Sequence, residues 1–202
     1  MSKKKEKVVE KRLCVNLGCG NHIVHSTDPK EKWINIDSEY KPEDSMDYLQ
    51  GDVRAIPLES GTVDYILCDN VLEHLSMADI PIALHEIRRV LKVGGRAVLI
   101  VPEFKDALNQ WLSIDHDNSF SPFNYQYLSE VIYGLQTHDG EYHRTPFCAG
   151  FMNYSLQMCG LRKYRLVLHP AFSDSPNYPG TRNLPGAKCR NAQLIADITK
   201  ES

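Results

Sequence analysis

The chain has 202 residues, 42% apolar and 24% charged, with a formal net charge of −3. That length and composition suit one soluble globular domain with a substantial core, residues 1–202. They exclude a disordered chain, and the charge gives no reason to expect a nucleic-acid footprint. No stretch approaches the roughly 18–20 apolar residues that span a membrane, and the N-terminus lacks the apolar core of a signal peptide. Residues 1–11 read as a basic, solvated tail that also carries Glu6 and Glu10. The six cysteines form no CxxC pair, so a zinc ribbon is not expected and a reducing, cytoplasmic setting is.

In chain order, strand-like and helix-like pieces alternate. "RLCVNLG" (12–18), "WINID" (33–37), "TVDYILCDN" (62–70) and "RAVLIVP" (96–102) read as strands. Their nearly unbroken apolar runs fit strands covered on both faces of a parallel sheet. Residues 79–92 read as a helix, because Ile80, Leu84, Ile87 and Leu91 share one helical face. Ser76 or Asp79 can cap its start, and Gly94-Gly95 is expected to end it. Two more helices are expected near 125–133 and over 151–159. "RKYRLVLH" (162–169) and "RNAQLIADIT" (190–199) read as closing strands. The connection between them holds four prolines and is too irregular for a crossover helix, so the two should pair antiparallel. Residues 103–149, rich in Tyr, Phe, His and Asp, read as a lid or insert, with Trp111, Phe120, Phe123, Tyr125 and Tyr142 as an apolar lining.

The turn "LGCG" ends the first strand. Gly18 and Gly20 let backbone N–H groups approach a ligand with no Cβ in the way. Asp37 ends the second strand, 17 positions after Gly20, where a carboxylate can accept both hydroxyls of a ribose. Asp52 follows the short apolar step "YLQGD", and its carboxylate and the Val53 N–H suit an adenine edge. Alternatives exist for each piece, with Asp37 as a turn residue and Asp52 as a helix cap. Their joint order and spacing favours a nucleotide-like ligand.

"VNLGCG", "INID", "GDVRAIPLESGTVDYILCDNVLEHL" and "EIRRVLKVGGRAVLIVP" together resemble the successive motifs of class I S-adenosylmethionine-dependent methyltransferases. The resemblance covers residues 12–102. It implies an α/β, Rossmann-like, seven-stranded, mostly parallel sheet with an antiparallel final strand and helices on both faces. It also implies S-adenosyl-L-methionine as cofactor. By position, Gly18, Cys19 and Gly20 would line its methionine end, Asp37 would hold the ribose and Asp52 and Val53 the adenine, with Asn16 and Ser38 also expected at the cofactor. Asp69 and Asn70 would form the floor beneath the sulfonium. Two positions depart from the pattern: Asn16 stands where an acid is usual, and His22 where a third glycine is. "NHIVHSTDPKEK" is also a poor helix, so the first crossover should be shortened. Downstream, "IYGLQTHDGEYHRTPF" is similar to a Gly-Gln … His … Phe pattern (Gly134, Gln136, His143, Phe147). That pattern is found in small bacterial and phage methyltransferases often associated with surface glycans.

Methyl transfer to a hydroxyl is helped by a general base. The candidates are His143, His116 and His74, while His138 reads as surface. His143 is favoured by the subgroup pattern, His116 by flanking Asp115 and Asp117, His74 by following the expected cofactor floor. The Asp and His density permits a metal, but no ligand spacing insists on one, and none is expected. The expected acceptor is an oxygen or nitrogen of a small molecule or glycan, without nucleic-acid or membrane partners. A non-catalytic binding protein that retains the fold is the alternative. A Rossmann-type oxidoreductase is disfavoured by the incomplete GxGxxG fingerprint.

Overall fold

A computed structural model describes residues 11–41, 47–113, 129–137, 139–169 and 193–202. The expected strands at 12–18, 33–37, 62–70 and 96–102 form as β1 (Arg12–Leu17), β2 (Glu31–Asp37), β4 (Val63–Asp69) and β5 (Leu91–Pro102). The closing pair is β6 (Lys163–His169) and β7 (Gln193–Thr199). A three-residue strand that the sequence pattern did not show, β3 (Tyr48–Gln50), adds a parallel edge to β2. Three residues are too few for a readable apolar alternation. The seven strands lie in the order β3-β2-β1-β4-β5-β7-β6. β7 pairs antiparallel with both β5 and β6, and the other pairings are parallel.

The main core lies on one face of this sheet. Val15 and Leu17 of β1, Ile66 and Cys68 of β4, Leu99 and Val101 of β5 and Leu194, Ala196 and Ile198 of β7 point there. Helix α1 (Asp79–Val90) seats Ile80, Leu84 and Ile87, all fully buried, against it. Helix α3 (Ala149–Met158) adds Met152 and Leu156. On the opposite face, Cys14, Tyr65, Leu67, Val98, Ile100 and Ile195 form a second cluster, edged by Trp33 and Val167.

α1 differs from expectation at its end. It stops at Val90, and Leu91 is already extended (φ −62°, ψ 138°) because it pairs with Val63 in the sheet. Gly94 (φ 80°) instead turns the start of β5, where it donates to the Lys200 carbonyl at 2.8 Å. At its start, Ser76 Oγ donates to the Asp79 carboxylate at 2.8 Å.

The expected insert contains a helix that was not foreseen, α2 (Phe104–Ser113). The buried Glu103 carboxylate accepts the Asp106 N–H at 2.5 Å and closes its first turn. A bridge between Glu103 and Phe147 brings the two ends of the insert together. Trp111 packs on Ala107 and Val131 and does not line the large cleft. Residues 129–133 are helical, which matches the end of the helix expected near 125–133. Residues 1–10 of the basic tail, His116, His138, Phe120, Phe123, Tyr125 and the proline-rich connection lie outside the described residues. Cys14, Cys19, Cys68, Cys148 and Cys159 are free thiols. No helix among the described residues is long and apolar enough to cross a membrane.

Candidate active site

A cleft of about 610 Å³ opens at the carboxyl ends of β1, β2 and β4, the edge where open parallel sheets place ligands. Gly18, Gly20, Asp37, Ser38, Asp52, Val53, Asn70 and His74 all line it. Gly18 adopts φ 69°, and a Cβ there would stand 2.2 Å from Val71 Cγ2. Only glycine allows this approach. Gly20 (φ 48°) faces open space instead, so its backbone is exposed to whatever fills the cleft.

Asp37 anchors the rim. Its Oδ2 accepts the Gly20 N–H at 2.8 Å, and its Oδ1 accepts the N–H groups of Glu39 and Tyr40 at 2.9 Å. The carboxylate is thereby oriented by backbone while keeping acceptor capacity for a ligand hydroxyl. Asp52 is more heavily engaged. Arg54 meets it through Nε at 2.9 Å and Nη2 at 2.6 Å, and Asp52 Oδ1 also accepts the Arg54 N–H at 2.7 Å. This pairing holds the Asp52 carboxyl below the usual range. An adenine amino group there would share Asp52 with Arg54.

Three expected cofactor residues stand behind the cleft. Cys19 is 3% exposed, and burial first, then the Asp37 charge, pushes its thiol up to about 12. Only its backbone belongs to the turn. Asp69 is half-buried, and desolvation pushes its carboxyl up to about 6. Asn16 is buried in a polar network that replaces the missing first crossover helix. Its Nδ2 donates to the His22 carbonyl at 2.8 Å and to Asn35 Oδ1 at 3.0 Å. Asn35, fully buried, accepts the Val24 N–H at 2.8 Å and donates to the Val24 carbonyl at 3.0 Å. The two asparagines pin residues 22–24 where a helix would otherwise pack.

The histidines divide between two cavities. His74 faces the cleft, and His143 lines a small cavity behind it with Glu73, Val131, Thr145 and Phe147. Their rings meet edge to face at 4.9 Å. His74 Nδ1 lies 3.2 Å from the Tyr142 carbonyl and His143 Nδ1 2.8 Å from that of Val131. Since a carbonyl only accepts, each Nδ1 carries the proton and each neutral ring offers Nε2 as a lone pair. Desolvation lowers both imidazoles below their usual value. The wall also includes residues that motif reading did not assign, among them Val71, Leu75, Asp79, Asp139, Gly140, Glu141 and Arg144. The last four come from the insert, beyond the reach of local motifs.

A sequence profile described as "Methyltransferase domain" matches residues 11–99. Residues 11–99 thus carry a methyltransferase domain. A malonyl-[acyl-carrier protein] O-methyltransferase of Erwinia pyrifoliae is 29% identical over 107 residues, 52% of this chain and 39% of that protein. An uncharacterized 37.1 kDa protein in transposon TN4556 of Streptomyces fradiae is 32% identical over 105 residues, 45% of this chain and 30% of that protein. The match thus spans less than half the length of these curated relatives. Among solved structures, a SAM-dependent methyltransferase from Methanosarcina mazei superposes with a TM-score of 0.60 at 12% identity, covering 95% of this chain and 93% of that one. One from Archaeoglobus fulgidus gives 0.56 at 11%, covering 95% and 87%. Identities this low speak for the fold alone. The cofactor that the methyltransferase domain implies is S-adenosylmethionine. The glycine turn, the oriented Asp37 and a cleft within the usual 300–1,000 Å³ range of ligand sites fit it.

Proposed function

We propose that the protein is an S-adenosylmethionine-dependent methyltransferase acting on an oxygen or nitrogen of a small molecule or sugar. The observation that supports this reading is one continuous cleft. Gly18, Gly20, Asp37, Asp52, Val53 and Asn70 line it together with His74, Glu141 and Arg144. The first group would hold the cofactor and the second would meet an acceptor. When bound, the cofactor supplies a methyl group already activated by its sulfonium. The protein's part is to hold a nucleophile in line at about 3–3.5 Å. Gly18 and Gly20 admit the ligand close to backbone, and Asp37 accepts ribose hydroxyls. His74 stands on the acceptor side of the cleft, with the His143 ring against its edge. The exposed Arg144 and the carboxylates of Asp139 and Glu141 give the wall a polar character suited to a hydroxyl- or amine-bearing acceptor. The mostly carboxylate-rich rim argues for a neutral or cationic acceptor over a polyanion.

Calorimetry with S-adenosylmethionine, S-adenosylhomocysteine and NAD tests the cofactor half. The two sulfur nucleosides should bind at one site per chain and NAD should not. Methyl-labelled cofactor offered with a panel of sugars, phenols and amines tests the rest. Label should move to at least one acceptor class, and His74→Ala should abolish transfer while cofactor affinity stays. Absence of cofactor binding would overturn the reading, and binding without transfer would favour a non-catalytic protein.

A further inference from the structure

Glu73 is 2% exposed, and among the described residues neither of its carboxylate oxygens has a hydrogen-bond partner. A buried acid in that position calls for a cation or a proton. Two imidazoles stand beside it. One ligand atom from each of Glu73, His74 and His143 lies within 4.8 Å of the other two. Both rings are held through Nδ1 by backbone carbonyls, at 3.2 Å and 2.8 Å. This is the arrangement that orients a histidine Nε2 toward a metal.

The segments bearing the three side chains are stitched together by backbone. The Glu73 carbonyl accepts from Arg144 N at 2.8 Å and Thr145 N at 3.1 Å, and His143 N donates to the Tyr133 carbonyl at 3.0 Å. Thr145 Oγ1 donates to the Leu75 carbonyl at 2.7 Å. Gly134 (φ 81°) makes room for this approach. A Cβ there would lie 1.8 Å from the Glu141 carbonyl oxygen and 3.1 Å from His143 Cδ2. The three groups are therefore preset by the fold.

We infer that Glu73, His74 and His143 form a binding site for a divalent transition-metal cation of the zinc class. Two imidazole nitrogens and one carboxylate oxygen suit a borderline cation with three protein ligands and an open fourth position. Tetrahedral bonds of 2.0–2.2 Å place ligand atoms about 3.3–3.5 Å apart. Closing from 4.8 Å is a side-chain adjustment. Deprotonated Glu73 would balance half the charge of the ion. His74 lines the large cleft, while Glu73 and His143 line the small cavity behind it, so the site lies at the wall between the two and its open position would face the cleft.

The test uses untagged, chelator-treated protein without cofactor, which keeps it separate from the methyltransferase reading. Zn2+ titrated by calorimetry should bind at one ion per chain. Co2+ substitution should give the visible absorption of a four- or five-coordinate centre. Glu73→Gln and His143→Ala should each weaken Zn2+ at least about 100-fold, while His85→Ala, on the exposed side of α1, should not. Where a variant loses its circular-dichroism spectrum, His74→Ala and the Co2+ spectrum of the unaltered chain decide. No stoichiometric Zn2+ binding, a six-coordinate Co2+ spectrum, or unchanged affinity in folded Glu73→Gln and His143→Ala would overturn the inference and leave a protonated Glu73 as the explanation.

Discussion

Asp37 does two things at the rim of the cleft. It fastens the N–H groups of Gly20, Glu39 and Tyr40, and in the proposed function its oxygens also accept ribose hydroxyls. Asp37→Ala should weaken S-adenosylhomocysteine by about 10- to 150-fold, the worth of about 1.5–3 kcal/mol for a hydrogen bond to a charged group. Asp37→Asn, which keeps one acceptor oxygen, should fall between. Calorimetry showing the parent affinity in both variants would remove Asp37 from the site. Asn16 invites the opposite experiment. Restoring the acid usual at that position should harm the protein, because a carboxylate would face the His22 carbonyl and Asn35 Oδ1, both acceptors. The orientation of Asn35 follows from the Val24 N–H that it accepts, so Asn16 has to supply a donor. Asn16→Asp should lower stability by about 1–3 kcal/mol, read from urea unfolding. An unchanged or higher midpoint would refute the network's role.

At the scale of elements, α1 holds the turn that carries Asp52 and Val53. Arg89 donates to the Ile56 and Leu58 carbonyls at 2.9 Å and to Glu86 at 2.6 Å, while Glu86 accepts the Ile56 N–H at 2.9 Å. The hydrogen bond from Arg89 is the main reason that the Glu86 carboxyl sits below its usual 4.5. A lowered acid contributes stability that is present above its unfolded value and lost as pH falls through its folded one. Arg89→Met, which keeps the apolar stem, should therefore cost stability near neutral pH. The gap to the parent should narrow below about pH 4.5. Urea midpoints at both pH values check this, and a gap independent of pH would mean that the Arg89–Glu86 pair is not its source.

For the whole molecule, the cleft joins the β1 turn, the end of β2, residues 51–54, residues 70–75 and the insert's residues 139–144. A ligand filling it should slow exchange in all five at once, since local opening is suppressed wherever the ligand binds only the closed form. Hydrogen exchange with S-adenosylhomocysteine should protect residues 18–21, 37–40 and 139–144, with little change in α3 or β6. Protection at the glycine turn without any at 139–144 would detach the insert from the cofactor's side of the cleft.

Much of the sheet was legible in the sequence because buried strands write themselves as apolar runs, and the first four runs appear as β1, β2, β4 and β5. The antiparallel closing pair was legible too, from the irregular connection that could not cross over. So was a gathering at one cleft: Gly18, Gly20, Asp37, Ser38, Asp52, Val53 and Asn70 follow strand ends, where parallel topology brings them to one edge. The early end of α1 was not, since pairing of Leu91 with Val63 overrides the local glycine signal. Nor was the reason for Asn16, whose partners are a loop carbonyl and a side chain 19 positions away. Glu73 and His143 are 70 positions apart, and no local spacing can announce their meeting. Only the backbone bonds from Arg144 and Thr145 to the Glu73 carbonyl, with Gly134 yielding the room, bring them together.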